Sequence, residues 1–210
     1  MANTEKTIFL GPANLQIPTV HPTLKDLKLE SLSPSRTSIR TNITAKFPTS
    51  DHKYGASTWV LLHTLNEGQR YEVRVCWAAT QPTSIRMETY ELQTVFETPD
   101  LILSLAQYRV TLDGPAPLTS STFDSESSVL LLHIQAAADY FTMDKSLMKD
   151  VLPVYIDVIL DPFVLNVLPK SLIPTALYIV MLAIGSWFLA GHIYIWIRQF
   201  AADETKEKKS

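Results

Sequence analysis

The sequence predicts a mostly β domain, an immunoglobulin- or fibronectin-like sandwich of about seven to eight strands, followed by one C-terminal transmembrane helix. Two observations carry this. Short stretches alternating apolar and polar residues with period two recur as far as residue 159. After them comes a single uncharged run of 27 residues, 171–197, and about 20 apolar residues are enough to cross a bilayer as a helix. A third observation narrows the class: no long amphipathic helical pattern separates the strands, which favours sheet packed on sheet.

In chain order, Thr7 to Leu10, Leu24 to Leu29 and Ser38 to Phe47 read as the first strands, and Thr58 to Leu65 is rich in β-branched and large apolar residues. Tyr71, Val73 and Val75 alternate with Glu72, Arg74 and Cys76. Ile85, Met87 and Thr89 alternate with Arg86, Glu88 and Tyr90. Leu130, Leu132 and Ile134 repeat the pattern, as do Val154, Ile156 and Val158. Between these, Thr98, Pro99 and Asp100 ahead of Leu101, Leu103 and Leu105 predict a short capped helix. Residues 114–128 are rich in Pro, Ser and Thr and read as a solvated, mobile loop. The β domain is expected to span 1–162. An apolar juxtamembrane link follows at 163–170, in which Phe163, Val164 and Leu168 are expected to touch lipid or a partner. The helix takes 171–197, with Pro174 in its first turn and Tyr194 and Trp196 near its C-terminal boundary. A charged tail, 198–210, completes the chain.

Within residues 65–75, Leu65, Gly68 and Tyr71 are spaced as in the E–F corner of fibronectin type III domains, and the segment resembles that corner. The resemblance implies that Leu65 packs in the core, Gly68 makes the turn, and the Tyr71 hydroxyl bonds back to the corner backbone. Only ten residues separate Phe47 from Thr58. That leaves no room for the family's middle strands, so the strand topology stays open.

The chemistry expected is negative. Net charge is −3 without a basic stripe, which excludes a nucleic-acid partner. Cys76 is the one cysteine, so no intrachain disulfide forms. The five histidines lack metal-pair spacing, and His192 lies near the polar end of the apolar run. Asp157 and Asp161 share a strand face, as exposed carboxylates routinely do. No phosphate cradle, nucleophile elbow or metalloprotease motif is present. Catalytic residues, metal ligands and cofactors are therefore expected to be none.

Orientation rests on opposing cues. Arg198, Lys206, Lys208 and Lys209 follow the apolar run and only Lys170 immediately precedes it, which favours a cytosolic tail and a lumenal domain. Lys206 and Lys208 also match the spacing of a dilysine retrieval signal of the endoplasmic reticulum (ER), and Asn42-Ile43-Thr44 is an N-glycosylation sequon. Against this, the N-terminal residues lack the apolar core of a signal peptide, and a helix close to the C-terminus is the pattern of tail-anchored proteins. The lumenal arrangement is slightly favoured. The expected protein is a non-catalytic, single-span ER membrane subunit whose partners are membrane lipid and another membrane protein. By architectural analogy, a polytopic glycosyltransferase of glycosylphosphatidylinositol (GPI) anchor assembly would suit as that partner. The alternative is a tail-anchored tether or adaptor with its β domain in the cytosol.

Overall fold

A computed structural model describes residues 2–16, 24–50, 52–112 and 126–207. The chain divides into two units at the Pro169–Lys170 bond. The first unit begins with strands β1 (Ala2–Leu10), β2 (Leu15–Gln16), β3 (Glu30–Leu32), β4 (Ser38–Ile43), β5 (Ala56–Leu65), β6 (Arg70–Ala78) and β7 (Thr83–Glu91). Helices α1 (Leu92–Glu97) and α2 (Pro99–Thr111) come next, then β8 (Glu126–Ala138), α3 (Lys145–Lys149), β9 (Val154–Val164) and β10 (Leu168–Pro169). The second unit is dominated by α4 (Ile173–Glu207).

Two five-stranded sheets form. In the first, β6 lies between β1 and β9, β4 flanks β9 on its other side, and β10 folds back onto the end of β9, all antiparallel. In the second, β8 pairs antiparallel with β2, β5 and β7, and β3 runs parallel to β5 at the edge. The period-two alternation places Val73, Val75, Ile156, Val158 and Leu160 of the first sheet against Val60, Leu62, Leu130, Leu132 and Ile134 of the second. All are buried in one core, and each such side chain contributes on the order of 1.5–3 kcal/mol by leaving water.

Strands β5 and β8 are apolar on both faces, and a second cluster explains why. Trp59, Leu61, Val129 and Leu131 point away from the sandwich and pack with Val95 of α1 and Leu105 of α2. The domain therefore has three layers, sheet, sheet and a helical cover.

Several sequence expectations are corrected. Residues 24–29 do not form a strand: Leu24–Leu27 is a 3-10 turn, whose leucines spaced three apart pack on the second cluster. The helix after Thr98 runs to Thr111 and is preceded by another. Of the expected loop 114–128, residues 126–128 belong to β8, and the rest lies outside the described residues. The domain does not end at 162, because β9 continues through Val164 and its turn back to β10 occupies most of the expected link. The connections also differ from a fibronectin domain. There the strand after the corner pairs with the next strand in the same sheet, whereas β6 is followed by β7 in the opposite sheet.

The second unit contains a helix long and apolar enough to cross a membrane, spanning Lys170–Arg198 with mean hydropathy 2.0. Helical geometry continues to Glu207, into the stretch expected to be a tail.

Leu132 is fully enclosed between the sheets. Leu132→Ala should therefore lower unfolding stability by about 2–5 kcal/mol, read by chemical denaturation of the detergent-solubilised chain.

Candidate functional site

The most organised polar assembly in the domain is the corner at which the chain passes from the second sheet to the first. β5 reaches it through a register shift between Leu62 and Leu65, where Thr64 has φ 55°. Gly68, at φ 71°, completes the turn, a conformation that suits glycine. Tyr71 then enters the core with its ring fully buried and stacked on Phe9 at 5.7 Å. Its hydroxyl accepts from the Asn66 N–H and donates to Gln69 Oε1, both at 2.9 Å. Burial raises the Tyr71 pKa, so the phenol stays protonated and able to donate.

Two further segments lock onto this corner. The Gly11 N–H donates to the Gln69 carbonyl at 2.8 Å, and the Gly68 N–H donates to the Gly11 carbonyl at 2.9 Å. A Cβ on Gly11 would stand 2.2 Å from the Asn66 carbonyl oxygen, so only glycine fits this approach. From the β9–β10 turn, Asn166 accepts from the Arg70 N–H at 2.8 Å and donates to the Gly68 carbonyl at 2.9 Å. Gln69 Nε2 donates to the Phe163 carbonyl at 3.0 Å, and the Arg70 guanidinium lies 5.8 Å over the Phe163 ring.

The structure thus brings the corner residues Leu65, Gly68 and Tyr71 to the same end of the domain as Phe163, Val164 and Leu168. Phe163 is buried, at 6% exposure. Val164 is 41% exposed and Leu168 is half-buried. The most exposed apolar groups there are ones the sequence reading missed, Leu165 at 90% and Val167 at 77%. The only local turn signal is Asn166, set inside an apolar run that reads as a link. The N-linked candidate Asn42 lies exposed on β4, opposite Tyr155 of β9. Lys206 falls within α4, its side chain undescribed, and Lys208 lies outside the described residues.

The other candidate is a cleft of about 620 Å³ beside α2, lined among others by Ser57, Asp100, Ser104, Gln107, His133 and Gln135. His133 stacks on Trp59 at 4.2 Å and contacts the Ser57 hydroxyl through Nε2 at 2.9 Å, while Trp59 Nε1 donates to Ser104 at 3.2 Å. Burial lowers the His133 pKa to about 4, although nearby Glu88 opposes the shift. A base this weak draws poorly on a serine proton, and the pair acts as a satisfied buried contact. Among the described residues no group of three or more His, Cys, Asp or Glu is placed to hold a metal. Asp157 is engaged by Arg40 through two hydrogen bonds of 2.7 and 2.9 Å, which hold its carboxyl below the usual range. Asp161 and Glu72 flank Arg74 at 3.8 and 3.7 Å, and Lys6 reaches Glu72 at 3.0 Å.

Neither arrangement assembles a nucleophile, a matched base and an oxyanion site. What the corner end offers is a rigid surface. A sequence model of the Pga1 family, described as GPI-mannosyltransferase II co-activator, matches residues 1–193, which covers the β domain and most of the apolar helix. The chain belongs to the Pga1 family. No curated protein and no solved structure matches it. The expected accessory role in a GPI-anchor glycosyltransferase complex agrees with the family description. Pga1 proteins act with a membrane mannosyltransferase, and the machinery of GPI-anchor assembly resides in the ER.

Two outcomes follow from this geometry. Tyr71→Phe removes the acceptor of the partly buried Asn66 N–H and should cost about 1 kcal/mol of stability in urea titration. Because the folded His133 pKa lies below its unfolded value near 6.5, the unfolded chain takes up the proton first as pH falls. Its contribution is constant above about pH 6.5 and is lost progressively toward pH 4, by roughly 3 kcal/mol in all. A His133→Gln variant should show a flatter stability profile across that window.

Proposed function

We propose that this chain is a non-catalytic, single-span subunit of ER GPI-mannosyltransferase II, with its β domain in the lumen and α4 crossing the bilayer. The family match carries the reading, since a co-activator supports another protein's chemistry. The domain's chemistry is consistent: its clefts hold paired polar groups and a histidine too weakly basic at neutral pH to activate a nucleophile. Its role is to hold and steady the catalytic subunit, with Val164 and Leu168 at the corner end available to lipid or to that subunit. Lys206 and Lys208 serve as a cytosolic retrieval signal.

Orientation is supported by the excess of basic residues after the apolar run and by the exposed sequon on β4. The test is expression in cells followed by endoglycosidase treatment and protease digestion of sealed microsomes. A mobility shift that disappears in Asn42→Gln, with the β domain protected from protease, is expected. A digested domain without a shift would place it in the cytosol and favour the tail-anchored alternative. The purified chain should transfer no mannose alone, and its loss should lower the abundance or activity of the mannosyltransferase. Mannose transfer by the isolated chain would refute the non-catalytic role.

A further inference from the structure

The turn between β9 and β10 breaks the local rules for turns. The Val167 N–H donates to the Val164 carbonyl at 3.1 Å, and both central residues have positive φ, 53° at Leu165 and 58° at Asn166. That sign pattern belongs to a turn that takes Asn or Gly at its centre, because a Cβ is strained there. Asn166 obeys the rule. Leu165 does not, and it neither packs nor pairs: its side chain is 90% exposed, and Val167 beside it is 77% exposed. A strained backbone that holds a leucine out into solvent points to a use for that leucine.

The turn is also held rigidly. Asn166 is clamped to the backbone of Gly68 and Arg70, and Gln69 holds the carbonyl of Phe163. A mobile loop would hide its apolar side chains against the domain, whereas this one is braced outward. No charged residue occurs from Pro162 to Pro169, and Lys170 follows at the start of the apolar span. Exposed Leu10 pairs with Arg70, whose guanidinium lies over Phe163, so a further apolar side chain and a cation belong to the same end of the first sheet.

We propose that the turn at residues 164–167 is a hydrophobic prong that inserts Leu165 and Val167 into the headgroup region of the bilayer. The inference rests on α4 crossing the membrane. Lys170 is five residues on from Leu165, and fully extended that stretch reaches at most about 18 Å. The turn is thereby tethered to the lipid surface in every copy of the chain, whether or not a catalytic subunit is bound. Leucine and valine partition into the interface by burying apolar surface. Arg70 can keep its charge among lipid phosphates while its stem lies along the apolar groups. The prong anchors the turn end of the β domain at the lipid surface.

The test uses the full chain with Cys76→Ser, carrying one cysteine labelled with an environment-sensitive fluorophore. The chain is reconstituted alone in nanodiscs of phosphatidylcholine and phosphatidylglycerol. A label at Leu165→Cys should emit blue-shifted and be quenched several-fold more by nitroxide lipid than one at Lys53→Cys, an exposed position on the loop that precedes β5. Leu165→Asn suits the turn better than leucine. It should leave the melting temperature unchanged or higher while reducing quenching of a label at Val167→Cys. Co-migration with the discs combined with an unquenched, water-exposed label would overturn the prong alone. A label shielded only after the mannosyltransferase is added would overturn it in favour of a protein contact. Failure to co-migrate would overturn the membrane-spanning reading and the prong with it.

Discussion

The structure depends on one backbone crossing, the passage from β5 to β6 that carries the chain between sheets. A crossing at the edge of a core leaves backbone polar groups partly shielded from water, and a net hydrogen bond there contributes on the order of 1 kcal/mol. The Tyr71 side chain meets this by filling the core with its ring and receiving the Asn66 N–H with its hydroxyl. The other segments at this end attach to that solution. Gly11 bonds to Gln69 and Gly68, and the carbonyl of Phe163 and the amide of Asn166 complete the set. The end of the domain from which the chain leaves for α4 is therefore its best-braced part.

The two sheets meet the surroundings differently. The second sheet hides its outer face beneath α1 and α2, so β5 and β8 carry apolar residues in both registers. The outer face of the first sheet carries paired charges, with Lys6 and Arg74 against the buried carboxylates of Glu72 and Asp161, and the exposed Arg40 with Asp157. The exposed Arg40–Asp157 pair is screened by water and adds little to stability. Glu72 is nearly enclosed, and Lys6 and Arg74 supply its opposite charges at 3.0 and 3.7 Å.

Much of this was legible in the residues, for identifiable reasons. Strands with one buried face announced themselves by alternation, as in β6 and β9, and the uncharged run marked α4. Leu65, Gly68 and Tyr71, singled out by their spacing, lie together at the passage from β5 to β6. What escaped lacked such signals. Leu24 to Leu29 offered apolar residues at a spacing compatible with either a strand or a helical turn, and packing chose the turn. The β9–β10 hairpin escaped because Leu165 occupies a position where turn chemistry calls for Asn or Gly. Strand order escaped because periodicity says which face is buried, not which neighbour is paired. Of the candidate surface at 164–167, Val164 was singled out from the sequence, whereas Leu165 and Val167 went unread for the same reason as the hairpin.

The pairing pattern has a consequence for how the domain is made. β4 meets β9 across more than a hundred residues, β1 meets β6 across more than sixty, and β5 meets β8 across a similar gap. Contacts this distant in sequence slow folding, because loop entropy must be surrendered before any of them forms. β9 is the keystone of the first sheet, bonded on one side to β6 and on the other to β4, and it emerges just ahead of α4 during synthesis. Until it arrives, both neighbours hold open edges of the kind that recruit stray strands. Closure of the sheet and delivery of the apolar helix are thus nearly simultaneous events, which makes the nascent domain dependent on protection until its last strand is in place.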